Sequence, residues 1–183
     1  MSKRAGTFVT MDDLIDEVGT DAARFTLLSY STDSPMTFDF EVVKRQTLDN
    51  PVYYVQYAHA RIASLVRRAE RQGVKLQKWT KVNFEELTQE AEMDLLRRLS
   101  ELPEVVGLAA TGRAPHRLTR YAEQVAADFH RFYTECRVIT EDASVTQARL
   151  WLSVATKQVI ASTLGLLGVS APESMERLDG DEA

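Results

Sequence analysis

Tyr53, Tyr54 and Tyr57 run straight into His59 and Arg61, and a second group, His130, Phe132, Tyr133 and Arg137, repeats the pairing of aromatic ring with guanidinium. Aromatic faces beside arginine are surfaces on which unpaired RNA bases stack, at about 1–3 kcal/mol per base. The competing reading is that tyrosines at helical spacing belong to a core. Tyr54, Ala58, Ile62 and Leu65 are spaced four, four and three apart, which is one helix face, so Tyr54 is expected to face a bundle. Tyr57 is offset from that face by about 60° on an ideal helix and is expected at a groove edge.

A second chemistry is suggested by the opening residues, Met1-Ser2-Lys3-Arg4-Ala5-Gly6-Thr7-Phe8. A basic loop with a glycine can hold polyphosphate through its cations and backbone N–H groups. The alternative is a disordered start with two solvated charges. No other motif completes a catalytic site. Gly6 is not part of a GxGxxG unit, there is no HExxH, and His59, His116 and His130 lack ligand spacing, so no metal site is expected. The single Cys136 excludes an internal disulfide and is expected to be inert and partly buried, in a reducing cytoplasm.

The elements that position these residues read almost entirely as helix. In 183 residues, 44% apolar and 27% charged, only 8 Gly and 5 Pro disfavour a turn-rich β architecture. No continuous apolar run reaches the ~18 residues of a membrane span, and no apolar stretch follows the basic start as in a signal peptide. Short helices are expected over 14–18, closed by Gly19; over 22–29, capped by Asp21; and over 41–48, after a loop with an extended Met36-Thr37-Phe38-Asp39-Phe40. Asn50-Pro51 starts a long helix that ends at Gly73, since proline is welcome only at a helix start. Helices over 88–99, 103–111 (ended by Gly112), 116–134 and 147–167 (ended by Gly168) follow. The expected fold is an all-α helical bundle.

The net charge of −5 argues weakly against nucleic acid, but its distribution argues for it. Residues 55–81 carry Arg61, Arg67, Arg68, Arg71, Lys75, Lys78 and Lys81 against Glu70, and Arg113, His116, Arg117 and Arg120 form a second cluster. Residues 85–104 and the end of the chain from Glu173 are mainly acidic. Either basic cluster can instead be a solvated helix face.

Met1-Ser2-Lys3-Arg4 resembles the Lys-Met-Ser-Lys-Ser signature loop of class I aminoacyl-tRNA synthetases, and Asp21-Ala22-Ala23-Arg24 resembles the Asp-Ala-Leu-Arg motif of a helical anticodon-binding domain. Asp49-Asn50-Pro51-Val52-Tyr53-Tyr54-Val55-Gln56-Tyr57-Ala58-His59-Ala60-Arg61 resembles bacterial arginyl-tRNA synthetase, and it is highly specific. Leu118-Thr119-Arg120-Tyr121, Phe132-Tyr133-Thr134-Glu135-Cys136-Arg137-Val138, Ala148-Arg149-Leu150 and Ser170-Ala171-Pro172-Glu173-Ser174-Met175 continue the match in order.

The resemblance implies the C-terminal part of an enzyme that activates arginine with ATP and Mg2+ and transfers it to tRNA(Arg). It implies three parts: 1–47, the signature-loop remnant and a connecting segment of the catalytic domain; 48–175, a helical anticodon-binding domain; and 176–183, an acidic, disordered tail. Lys3, with Ser2 beside it, matches the loop cation that stabilises the pyrophosphate side of the activation transition state. Tyr54, Tyr57, His59, Arg61, Tyr133, Arg137 and Met175 are the expected anticodon-binding residues. The full-length enzyme is expected to be monomeric and cytoplasmic, with no membrane partner and no cofactor in this chain. The loop's first lysine, the nucleotide-binding fold and the tRNA-elbow-binding domain are absent from the sequence, so the chain alone is expected to be inactive. The alternative is a stand-alone helical adaptor that keeps the fold and binds an acidic protein. A cysteinyl-tRNA synthetase shares the domain type but not the Tyr-Val-Gln-Tyr-Ala-His-Ala-Arg stretch.

Overall fold

Thr10 opens the first helix, α1 (Met11–Val18), through a reciprocal cap: its Oγ1 accepts from Asp13 N at 3.1 Å while its own N–H donates to the Asp13 carboxylate at 3.0 Å. These bonds from Thr10 hold the Asp13 carboxyl below its ordinary value. The computed structural model describes residues 10–36, 40–45 and 47–175. Ser2, Lys3, the middle of the 36–40 segment and the tail over 176–183 therefore lie outside the described residues.

Gly19 joins α1 to α2 (Thr20–Leu28). Asp21 does not cap α2, contrary to expectation, because the helix begins two residues earlier and the carboxylate bonds elsewhere, to Ser170 and Gln56. After the short α3 (Phe40–Lys44), Asn50 turns its amide back to donate to the carbonyls of Val43 and Arg45 at 2.8 and 2.9 Å, satisfying acceptors at the end of α3. Pro51 then starts α4 (Pro51–Arg71), as its fixed φ and missing donor predict.

Two 3-10 turns, Trp79–Lys81 and Phe84–Glu86, break up the connection to α5 (Glu90–Ser100). Next come α6 (Leu102–Thr111), α7 (His116–Glu135) and α8 (Ala143–Leu167). Helix α8 starts earlier than the apolar pattern suggests because Asp142 caps it, accepting from Ser144 N at 2.8 Å and Val145 N at 3.2 Å. At the end of α6 the roles of two residues are exchanged. Gly112 keeps an ordinary right-handed backbone, and Arg113 takes the left-handed turn, at φ 48°. The turn closes through Arg113 N to Ala110 O and Ala114 N to Ala109 O, at 3.2 and 2.8 Å.

The core lies where α4, α5, α7 and α8 meet, with α6 on α7 and α2 docked against α4. It is filled by Val55, Ala58, Ile62, Leu95, Val125, Phe129, Phe132, Leu150 and Ile160, all fully buried. The fold is all-α among the described residues, as the sequence implies. Helix α8 is long and apolar enough to cross a membrane by length and composition alone. It is nevertheless a core helix that also buries Thr146, Gln147, Ser153, Thr156 and Thr163; the hydroxyls of Ser153, Thr156 and Thr163 donate to carbonyls four residues back, and that of Thr146 to Thr140 O. Tyr121 reaches from α7 to donate to Arg98 O on α5 at 2.9 Å, and burial pushes its phenol up to about 12.

Candidate nucleic-acid interface

Helices α4 and α7 lie against one another, so side chains four residues apart on each line up along their seam. Tyr54 and Tyr57 of α4 flank the His130 ring of α7, with centroids at 4.9 Å and 6.1 Å, the second pair stacked at 24°. One turn on, the Arg61 guanidinium lies 4.3 Å over the Tyr133 ring and 5.9 Å from the Tyr57 ring. One further step along, Arg68 Nη2 donates to the Tyr133 hydroxyl at 3.1 Å. The seam is thus a ladder of rings and guanidinium groups, each cation–π contact contributing ~0.5–1 kcal/mol where solvent is near.

Tyr133 and Arg68 are also walls of a cleft of about 480 Å³, completed by Gln72, Thr134, Arg137, Val138, Ile139 and the carboxylate of Glu135, which is paired with Arg131. The Arg137 side chain is exposed, while its carbonyl accepts from Arg149 Nη1 at 2.8 Å. Arg149 is itself anchored at 2.6 Å to Glu92, which is wholly buried. The segment following α7 is therefore tied to the core while its cation faces out. The cleft offers two guanidinium groups for phosphate or base edges, beside an aromatic ring already held in place.

The expected site residues do not all fall on this surface. Tyr57, expected at a groove edge, is buried, with 7% of its surface exposed. Tyr54, expected to face the bundle, is half-buried and lines a shallow groove with Pro51, Arg120 and Gln124. Both rings pack on His130 of α7, and Tyr57 is further covered by the Arg61 guanidinium, so the exposure of the pair does not follow from spacing along α4. Burial, and then the charge of Asp128, push the Tyr54 phenol up. His59 is 2% exposed, and its Nδ1 sits 2.8 Å from Pro172 O, so it pins the segment after α8 and is absent from the exposed surface. Phe132 is core. Met175 lines a different cavity, of about 550 Å³, with Lys44, Tyr53 and Gln56. Cys136 is buried and burial pushes its thiol up, in keeping with an inert residue. No group of His, Cys, Asp and Glu suited to a metal ion comes together among the described residues.

The expected anticodon-binding residues do not include the other groups that position the segment after α8. Asp21 accepts from the Ser170 hydroxyl, from Ser170 N and from Gln56 Nε2, and Arg24 donates to Gly168 O. Beyond them Arg67 donates to Glu173 O at 3.1 Å, and Lys157 pairs with the Glu173 carboxylate at 2.7 Å, holding it below its ordinary value. Asp21 and Arg24, three apart on one helix face, are the available sequence signal for such a clamp.

The model of the DALR anticodon binding domain matches residues 55–175. The chain is 54% identical over 179 residues to an arginine–tRNA ligase of Frankia alni, covering 96% of this chain and 32% of the relative. It is 46% identical over 175 residues to that of Symbiobacterium thermophilum, covering 96% and 31%. It thus spans about a third of the length of the curated relatives it matches. The Thermus thermophilus arginyl-tRNA synthetase structure superposes with a TM-score of 0.73 at 26% identity, over 94% of this chain and 29% of that one. A Plasmodium falciparum arginyl-tRNA synthetase shares the fold, at a TM-score of 0.69 and 21% identity, over 91% and 29%.

Proposed function

The chain belongs to the DALR anticodon-binding domain family, in the form carried by arginine–tRNA ligases, and from that premise we propose that it binds the anticodon stem-loop of tRNA(Arg). The observation that carries this reading is the Arg61–Tyr133–Arg68 ladder opening onto the cleft beside Arg137. An unstacked base has a ring edge and a guanidinium plane to lie on there, and its phosphate has Arg68 and Arg137. Tyr54, Tyr57, Arg61, Tyr133 and Arg137 form this surface, Tyr57 by backing it. Met175 acts from the neighbouring cavity. His59 acts only by pinning the segment that leads to Met175.

Residues 48–175 are the reading domain, and residues 1–47 connect it to the catalytic domain of a larger, monomeric, cytoplasmic ligase. That ligase uses ATP with Mg2+ to activate arginine, and Ser2 and Lys3 belong to its signature loop. No group of side chains suited to a metal ion gathers among the described residues, and the ligation chemistry is assigned to none of them. The match to ligases over nearly the whole chain disfavours the adaptor reading.

Equilibrium binding of a tRNA(Arg) anticodon hairpin, with native and altered central anticodon base, tests the reading. Tyr133→Ala and Arg137→Ala are expected to lower affinity at least tenfold and to narrow the difference between the two hairpins (about 1–3 kcal/mol per stacked base). Unchanged affinity and discrimination in both variants overturn it. Arginine-dependent ATP–pyrophosphate exchange by this chain alone, with tRNA present, would overturn the assignment of chemistry to the rest of the ligase.

A further inference from the structure

The second basic cluster is left over once the ladder and the cleft have been assigned. Arg113, Arg117 and Arg120 are exposed, and none of them makes an ion pair among the described residues. This sets them apart from Arg24, Arg67, Arg98, Arg131 and Arg149, which are all held by carbonyls or carboxylates. Nor do the three serve helix α7, because the start of a helix favours carboxylates over cations.

Arg113 carries a further mark. It occupies the left-handed position of the turn after α6, at φ 48°, where glycine is the unstrained choice, and a glycine stands next to it at position 112 without using that freedom.

The patch is continuous with the aromatic surface. Arg117 and Arg120 line one hollow with His116, Val105 and Leu108, and Arg120 lines the next groove together with Tyr54. From Arg120 to Tyr133 along α7 is about 20 Å, which matches roughly six nucleotides of a duplex strand at ~3.4 Å each. Two carboxylates, Asp49 and Glu123, share the Tyr54 groove. Burial pushes the Glu123 carboxyl up, with Arg120 opposing. Carboxylates repel phosphates and accept from base amino groups, so charge along the band passes from base-tolerant at Tyr54 to phosphate-binding at Arg117.

We propose that Arg113, Arg117 and Arg120 bind the phosphate backbone of the RNA stem adjoining the loop whose bases lie on Tyr54 and Tyr133. The proposal rests on the anticodon-hairpin reading above. Its test is hairpin binding by this chain between about 50 and 200 mM salt. The Arg117→Ala/Arg120→Ala variant is expected to bind roughly tenfold more weakly, to lose about two units from the log–log salt slope, and to keep the full ratio between native and altered anticodons. Arg113→Gly is expected to raise the thermal midpoint by about 2–4 °C, while weakening hairpin binding roughly threefold and lowering the slope by about one. Hairpin binding by the unaltered chain, with affinity and slope unmoved in all variants, overturns the patch and leaves the function standing. Absence of hairpin binding by the unaltered chain overturns both.

Discussion

At the scale of single residues, the most consequential side chains are those whose partners are far away in sequence. Gly168 ends α8 at φ 68°, and a Cβ there would lie 2.7 Å from Arg24 Nη1. Gly168→Ala is therefore expected to cost about 1–2 kcal/mol from the backbone alone, plus the displacement of Arg24. In an Arg24→Ala background only the backbone part remains, a difference that urea unfolding of the four proteins resolves. Glu92 gives a sharper case. Glu92→Leu leaves the Arg149 guanidinium largely buried and without a carboxylate, held only by the Arg137 carbonyl, for an expected loss of about 3–5 kcal/mol, whereas replacing both partners by leucine is expected to cost much less. Denaturant midpoints of the single and double variants check the ordering. The sequence showed Arg149 only as part of a family resemblance. A pair separated by 57 positions leaves no periodic trace, although Glu92 shares the inward face of α5 with Leu95 and Leu99.

At the scale of elements, periodicity was a good guide to helix faces and a poorer one to helix ends. The α4 and α7 stripes put Ala58, Ile62, Leu118, Tyr121, Val125, Phe129 and Phe132 inward, as their three-and-four spacing requires. The ends depended on polar side chains with several possible uses. Asp21 looks like a cap and is a clamp, Asn50 closes the helix behind it, and Gly112 yields its turn to Arg113. The exposure of the tyrosine pair could not be read from α4 alone, because both rings pack on a histidine contributed by α7. Asp142→Ala removes the cap of α8 and is expected to lower stability by about 1 kcal/mol, measurable as a shift in the thermal midpoint. The segment after α8 has its own pH dependence. Pairing with Lys157 depresses the Glu173 carboxyl from 4.5, so its contribution is present above that value and is lost as pH falls through the lower, folded-state value. Amide exchange at residues 169–173 should accelerate over that window in the native chain and show no such step in Glu173→Gln.

At the scale of the whole molecule, α1–α3 dock on the bundle through the buried Ala22, Phe25 and Val43 and through the polar ties of Asp21, Arg24 and Asn50. Local opening follows such seams. The double variant Asp21→Ala/Arg24→Ala is expected to lose amide protection in α1 and α2 while α4, α7 and α8 keep theirs, as hydrogen exchange followed by residue will show. The only cysteine in the chain lies between Tyr133 and Arg137, buried beneath the cleft wall with its thiol pushed up. The molecule thus carries its own chemical clock. Cys136 can react with a thiol reagent only when the end of α7 lifts, so the labelling rate times that opening. A hairpin seated on Tyr133 and Arg137 should slow the clock, with no dye or tag needed to read it.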